Sequence, residues 1–157
     1  MKVARFVVYG NPKGKGRPRF TTVCGYAKSY TPKDTENYEN LIKIEYKSQC
    51  GNIFFDRDEQ LEVKIYCYHS IPKSVSNKKR SLMIAHRIRP AKKPDFDNMA
   101  KVVTDALNGI AYHDDNQIVD GMVRKFYDEQ PRVEIQIKSI NDEVKNERII
   151  EHQQQRI

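Results

Sequence analysis

Residues 1–33 hold eight lysines or arginines and no acid, and residues 63–94 hold nine, again with no acid. Neither arm can form ion pairs within itself, so its charges are available to something else. Long apolar runs are also missing, which excludes a membrane-spanning helix. The opening "MKVARFVVYGNPKG" has neither the apolar core nor the cleavage site of a signal peptide, so a cytoplasmic protein is expected. The three cysteines, Cys24, Cys50 and Cys67, are odd in number, far apart and without a CxxC pair, which argues against a disulfide framework and a zinc knuckle. His69, His86, His113 and His152 are scattered, so no zinc site is expected.

The acids the arms lack are concentrated between and beyond them. Residues 95–129 hold eight, against Lys101, Arg124 and Lys125, in a chain of formal net charge +7. Either arm alone reads equally well as a solvated surface. Two such arms in a chain that also gathers its acids in one segment point to nucleic acid, because each neutralised phosphate releases condensed counterions.

The 157 residues, 38% of them hydrophobic, suit one domain. A strand is predicted at 4–9, then a loop, "GNPKGKGRPRF", presenting Lys13, Lys15, Arg17 and Arg19. It lacks the Gly-Lys-Ser/Thr and following helix of a Walker loop; its glycines suit close backbone approach to a DNA chain. "TPKDTENYENLIKIEYKSQCG" predicts a helix capped by Thr31 with Pro32 at its first position and Gly51 beyond its end. "QLEVKIYCYH" alternates, burying Leu61, Val63, Ile65 and Cys67. Ser74 or Ser76 caps a basic helix that carries Lys78, Lys79 and Arg80 and leaves before Pro90. Met99, Val102, Val103, Ala106 and Leu107 mark an amphipathic helix, stopped at Asn108-Gly109. Two strands follow, in "NQIVDGMVRKFY" and "RVEIQIKSI". The expected fold is α/β or α+β: a small mixed sheet packed with helices, one domain over 1–140. A polar tail with a weak helical pattern fills 141–157.

Asp95 and Asp97 flank the start of the amphipathic helix and would share a face if 94–97 were extended. Lys101 lies one turn beyond Asp97 and Asp105 one turn further. The chain then returns through "IAYH" to Asp114 and Asp115, an up-and-back path that can bring the second acidic pair alongside the first. Three or four converging carboxylates make a site for a hard cation such as Mg²⁺, and two such ions about 4 Å apart can activate water in phosphodiester hydrolysis. Singly, Asp97 reads as a helix cap, Asp95 as a dipole partner and Asp114–Asp115 as a polar turn. An EF-hand is excluded, since Ala100 stands where its loop requires glycine. His113 abuts the acidic pair, and Tyr30 could stack on an opened base or simply pack.

"KKPDFDNMAKVVTDALNGIAYHDDNQI" closely resembles the signature of the RusA family of phage-type Holliday junction resolvases. "YGNPKGKGRPRF" and "IPKSVSNKKRSLM…RPAKKPD" resemble their counterparts, so the likeness covers most of 4–138. The resemblance implies a homodimeric endonuclease of recombination and repair. Such an enzyme binds four-way DNA junctions and nicks them symmetrically with Mg²⁺ or Mn²⁺, leaving 5′-phosphate and 3′-hydroxyl ends. It makes Asp95, Asp97 and Asp115 the metal ligands, Asp114 a supporting acid and Lys101 the catalytic lysine. Lys13, Lys15, Arg17, Arg19, Lys78, Lys79, Arg80, Lys92 and Lys93 are expected on the DNA face. Two alternatives differ in class: a non-catalytic junction or single-strand binding protein, and a phosphohydrolase of small nucleotides.

Overall fold

The computed structural model describes residues 2–141; the expected tail lies outside the described residues apart from Asn141. A four-stranded sheet carries the fold, ordered β1 (Val3–Tyr9), β6 (Arg132–Ser139), β4 (Leu61–Ser70), β5 (Ile118–Asp128). β6 pairs antiparallel with β1 and β4, while β4 and β5 run parallel. The sheet is therefore mixed and the domain α+β, as the sequence predicts. A parallel pair needs a long crossover, and here it holds α2 (Asn77–Ile84) and α3 (Phe96–Leu107).

Alternation along β4 puts Leu61, Val63, Ile65 and Cys67 into the core, facing α1 (Lys33–Cys50) and α3. Ala4, Phe6 and Val8 of β1 and Val133, Ile135 and Ile137 of β6 continue that surface. All five apolar positions predicted on α3 are fully buried, which makes it the central helix, packed against α1. Truncating a residue such as Leu107 to alanine would cost about 2–5 kcal/mol. Burial drives the Cys67 thiol up to about 12, so it is inert packing.

Three local expectations are corrected. α1 begins at Lys33 with Pro32 in the cap position and no side-chain cap, so Thr31 does not cap it; Asp34 and Glu36 complement its dipole instead. α3 begins at Phe96, with extended Asp95 as its cap residue and Asp97 already in the first turn. Asp95 and Asp97 thus do not share a strand face. Between the first loop and α1 stands an unforeseen hairpin, β2 (Arg19–Val23) and β3 (Tyr26–Tyr30), joined by Cys24 and Gly25, both at positive φ. That is the backbone a two-residue hairpin turn requires. Of the two caps offered for α2, Ser76 is used: its side chain accepts from the Lys79 N–H.

Candidate active site

The loop before the hairpin is held by the protein itself. A Cβ at Gly14 would come within 2.8 Å of Pro94 and 3.0 Å of Asn98, and one at Gly16 within 2.6 Å of the Thr35 hydroxyl. The close approach expected toward DNA is therefore spent on the starts of α3 and α1. The Lys15 N–H donates to the Asn98 carbonyl at 2.8 Å. Its ammonium binds Asp105 at 3.0 Å and also Glu39, tying α3 to α1. Burial opposes the charge on Lys15, but its hydrogen bonds to the Glu39 and Asp105 carboxylates outweigh that and raise its pKa. Lys15 is an internal bridge rather than a free DNA contact.

Opposite this loop the chain enters α3 through Lys93 and Pro94, whose bond is cis. The Lys125 ammonium, on β5, donates to the carbonyls of Pro94 at 2.9 Å and of Lys92, fixing that entry. Arg89 in turn donates to the Lys125 carbonyl at 2.9 Å and lies over the Phe126 ring. His69 is buried beside this cationic strut; burial, then the charges of Lys125 and Lys92, lower its pKa to about 4, so it is neutral at pH 7.

Between the two walls lies an open cleft of ≈ 510 Å³. Its lining includes Arg17 from the first basic arm, Lys93 from the second, and Asp95 and Asn98. Two arms far apart in sequence thus meet beside a predicted catalytic carboxylate. Asp97 and Lys101 follow on α3, exposed, and neither has an ion-pair partner among the described residues.

The second acidic pair is built by a different device. The Asp114 carboxylate accepts from the Asn116 N–H at 2.9 Å and caps the short 3-10 helix Asp115–Gln117. The buried Gln117 side chain accepts from the N–H groups of His113 and Asp114 and donates to the carbonyls of Asp56 and Glu59. Burial raises the Asp115 pKa, and the neighbouring Asp114 and Asp105 carboxylates raise it further. Asp115 therefore feels Asp105, in the last turns of α3. Asp97 lies eight residues before Asp105, roughly 12 Å along the helix axis. Among the described residues no group of three or more His, Cys, Asp or Glu side chains is placed to hold a metal ion. His113 packs edge-on against Phe54.

The other predicted DNA contacts divide. Lys13, Arg17, Arg19, Lys78, Lys79 and Lys93 are exposed and have no ion pair among the described residues, while Lys92 lies over the Tyr127 ring. Arg80 is paired with Glu129 at 2.8 Å. The sequence reading missed the structural duties of Glu39, Gln117 and Lys125. Only Gln117 left a signal, as the last residue of the capping-box spacing Asp114-x-x-Gln117.

Fold and cleft together define an α+β domain that presents cations from two chain segments beside a carboxylate, an arrangement suited to polyanions. The family model for the endodeoxyribonuclease RusA matches residues 9–138. YqaN of Bacillus subtilis (strain 168), described only as an uncharacterized protein, is 36% identical over 143 residues, covering 90% of this chain and 99% of its own length. The chain belongs to the RusA endodeoxyribonuclease family, a family of nucleases that act on Holliday junctions. No helix among the described residues is long and apolar enough to cross a membrane.

Proposed function

We propose that this protein is a crossover junction endodeoxyribonuclease that binds four-way DNA junctions as a homodimer and nicks two opposing strands, leaving 5′-phosphate and 3′-hydroxyl ends. The presence of Asp95 with Arg17 and Lys93 in the lining of one open cleft carries the reading. A phosphate backbone entering the cleft meets a cation from each basic arm, and the loop that carries Arg17 is held on α3 by Lys15. A two-fold symmetric junction is matched by a two-fold symmetric protein presenting two such clefts.

The expected divalent ion, Mg²⁺ with Mn²⁺ as substitute, suits Asp95, Asp97 and Asp115 in donor chemistry, all hard oxygens. As placed, no three such side chains among the described residues are gathered around one point to hold it. The chain's own contributions are independent of the ion. Arg17 and Lys93 position the backbone, Lys101 offers a cation one turn from Asp97, and the Gln117 brace sets the direction of Asp114 and Asp115.

The lack of such a gathered set among the described residues favours one second reading, a junction-binding protein that does not cut. Asp97→Asn distinguishes them. It should bind a labelled junction with unchanged affinity and salt dependence while losing strand cleavage by several orders of magnitude. Loss of binding, or cleavage at the native rate, would overturn the assignment of Asp97. A native protein that binds but never cuts with Mg²⁺ or Mn²⁺ would establish the second reading.

A further inference from the structure

The hairpin β2–β3 rises from the loop that walls the cleft, and every residue of both strands is exposed. A two-stranded hairpin is at best marginally stable alone in water. This one nevertheless leaves Phe20 76% and Tyr26 79% exposed, with Val23 and Tyr30 also open. Residues directly opposite in an antiparallel pair share a face. The register pairs Arg19 with Tyr30, Thr21 with Lys28 and Val23 with Tyr26. One face therefore carries Tyr26, Lys28 and Tyr30 in alternation along β3, about 6.8 Å apart, with Arg19 beside them. The other face holds Phe20, Thr22, Ala27 and Ser29, and no acid occurs anywhere in residues 1–33.

We propose that this Tyr26–Lys28–Tyr30 face is a binding surface for unpaired or unstacked bases at a DNA branch point, and that it lets the protein tell a junction from plain duplex. The proposal rests on the junction reading above and assigns its selectivity to a separate element. Duplex bases are stacked on one another and offer the tyrosines nothing, whereas a branch point exposes ring faces. Aromatic side chains stack on any base without regard to sequence. Lys28 and Arg19 supply the backbone attraction that keeps a strand on the hairpin. Charge selects this partner over a second copy of the chain, since two such faces would set like cations against each other.

The test uses the full-length chain with Ca²⁺ in place of Mg²⁺, and a four-way junction and linear duplex each carrying 2-aminopurine, at the branch or the matching position. Tyr26→Ala/Tyr30→Ala should lose about five- to hundredfold in junction affinity, the range for lost base stacking, with duplex affinity changed by less than about twofold. Tyr26→Phe/Tyr30→Phe should retain junction affinity, because the rings remain. Quenching of the branch-point base should vanish only in the alanine variant. Equal losses on junction and duplex, an unchanged junction affinity, or a fall in the protein's sedimenting mass would overturn the proposal and leave the nuclease assignment standing. A native protein that binds junction and duplex equally would overturn both.

Discussion

Replacing Lys15 with methionine separates structural from DNA-binding charge on the first arm. The ammonium lies between Glu39 and Asp105, and its side chain is only 23% exposed. Methionine keeps the stem and leaves two carboxylates facing each other without a cation. Hydrogen bonds to charged groups contribute about 1.5–3 kcal/mol each. The Asp105 arm must be discounted, because that carboxylate is 38% exposed and screened by solvent. A net loss of about 2–4 kcal/mol follows, or roughly 6–12 °C in Tm at about 3 °C per kcal/mol for a chain of this size. The Lys15 pKa is raised above its ordinary 10.5 in the folded state. Its contribution is therefore complete below that ordinary value and is lost as pH rises through the folded one. Urea unfolding of native and Lys15→Met protein should give curves separated by a constant amount from pH 7 to about 10, merging above. Arg17→Ala makes the contrast: stability unchanged, and the slope of log affinity against log salt shallower by about one. Equal stability of Lys15→Met and native protein at pH 7, or a shallower salt slope for Lys15→Met, would refute the bridge.

Three further outcomes follow from the acidic end of the site. Asp115→Asn should stabilise the fold near neutrality: a carboxyl with a raised folded pKa loses stability as pH climbs from its unfolded to its folded value, and the amide removes that loss, so unfolding at pH 4 and pH 7 should differ less than in the native protein. Gln117→Ala deletes the brace on the Asp114–Asp115 turn and should cost about 2–3 kcal/mol, read by chemical unfolding, with slowed cleavage and native junction affinity. Lys125→Met frees the Lys92 and Pro94 carbonyls, so protection from hydrogen exchange of the Met99 amide, which donates to the Asp95 carbonyl, should fall while that of α1 stays unchanged.

The parts of the fold that were readable in the sequence are those that bury one face. Met99, Val102, Val103, Ala106 and Leu107 recur at helical spacing because α3 lies against the sheet, and Leu61 to Cys67 alternate because β4 has one side in the core. The hairpin escaped notice for the same physical reason: with no buried face, β2 and β3 carry no hydrophobic period. Tyr, Thr and Val flanking Cys24-Gly25 were the only cue. Lys15 and Arg17 look identical in an acid-free arm, and only the folded chain brings Glu39 and Asp105 to one of them. Gly14 and Gly16 announced a close backbone approach but could not say to what. The acidic segment was legible as a group, and the Gln117 brace behind its second pair was not, since the Asp56 and Glu59 carbonyls that hold it are far away in sequence.

Cleavage of a strand-labelled four-way junction beside linear duplex of the same sequence, with Mg²⁺ and with EDTA, tests the central claim most directly. The account predicts paired, symmetric nicks on the junction only, with religatable 5′-phosphate ends, absent in EDTA and in Asp97→Asn. Tight junction binding without a cut under Mg²⁺ or Mn²⁺, or equal cutting of the duplex, would contradict it.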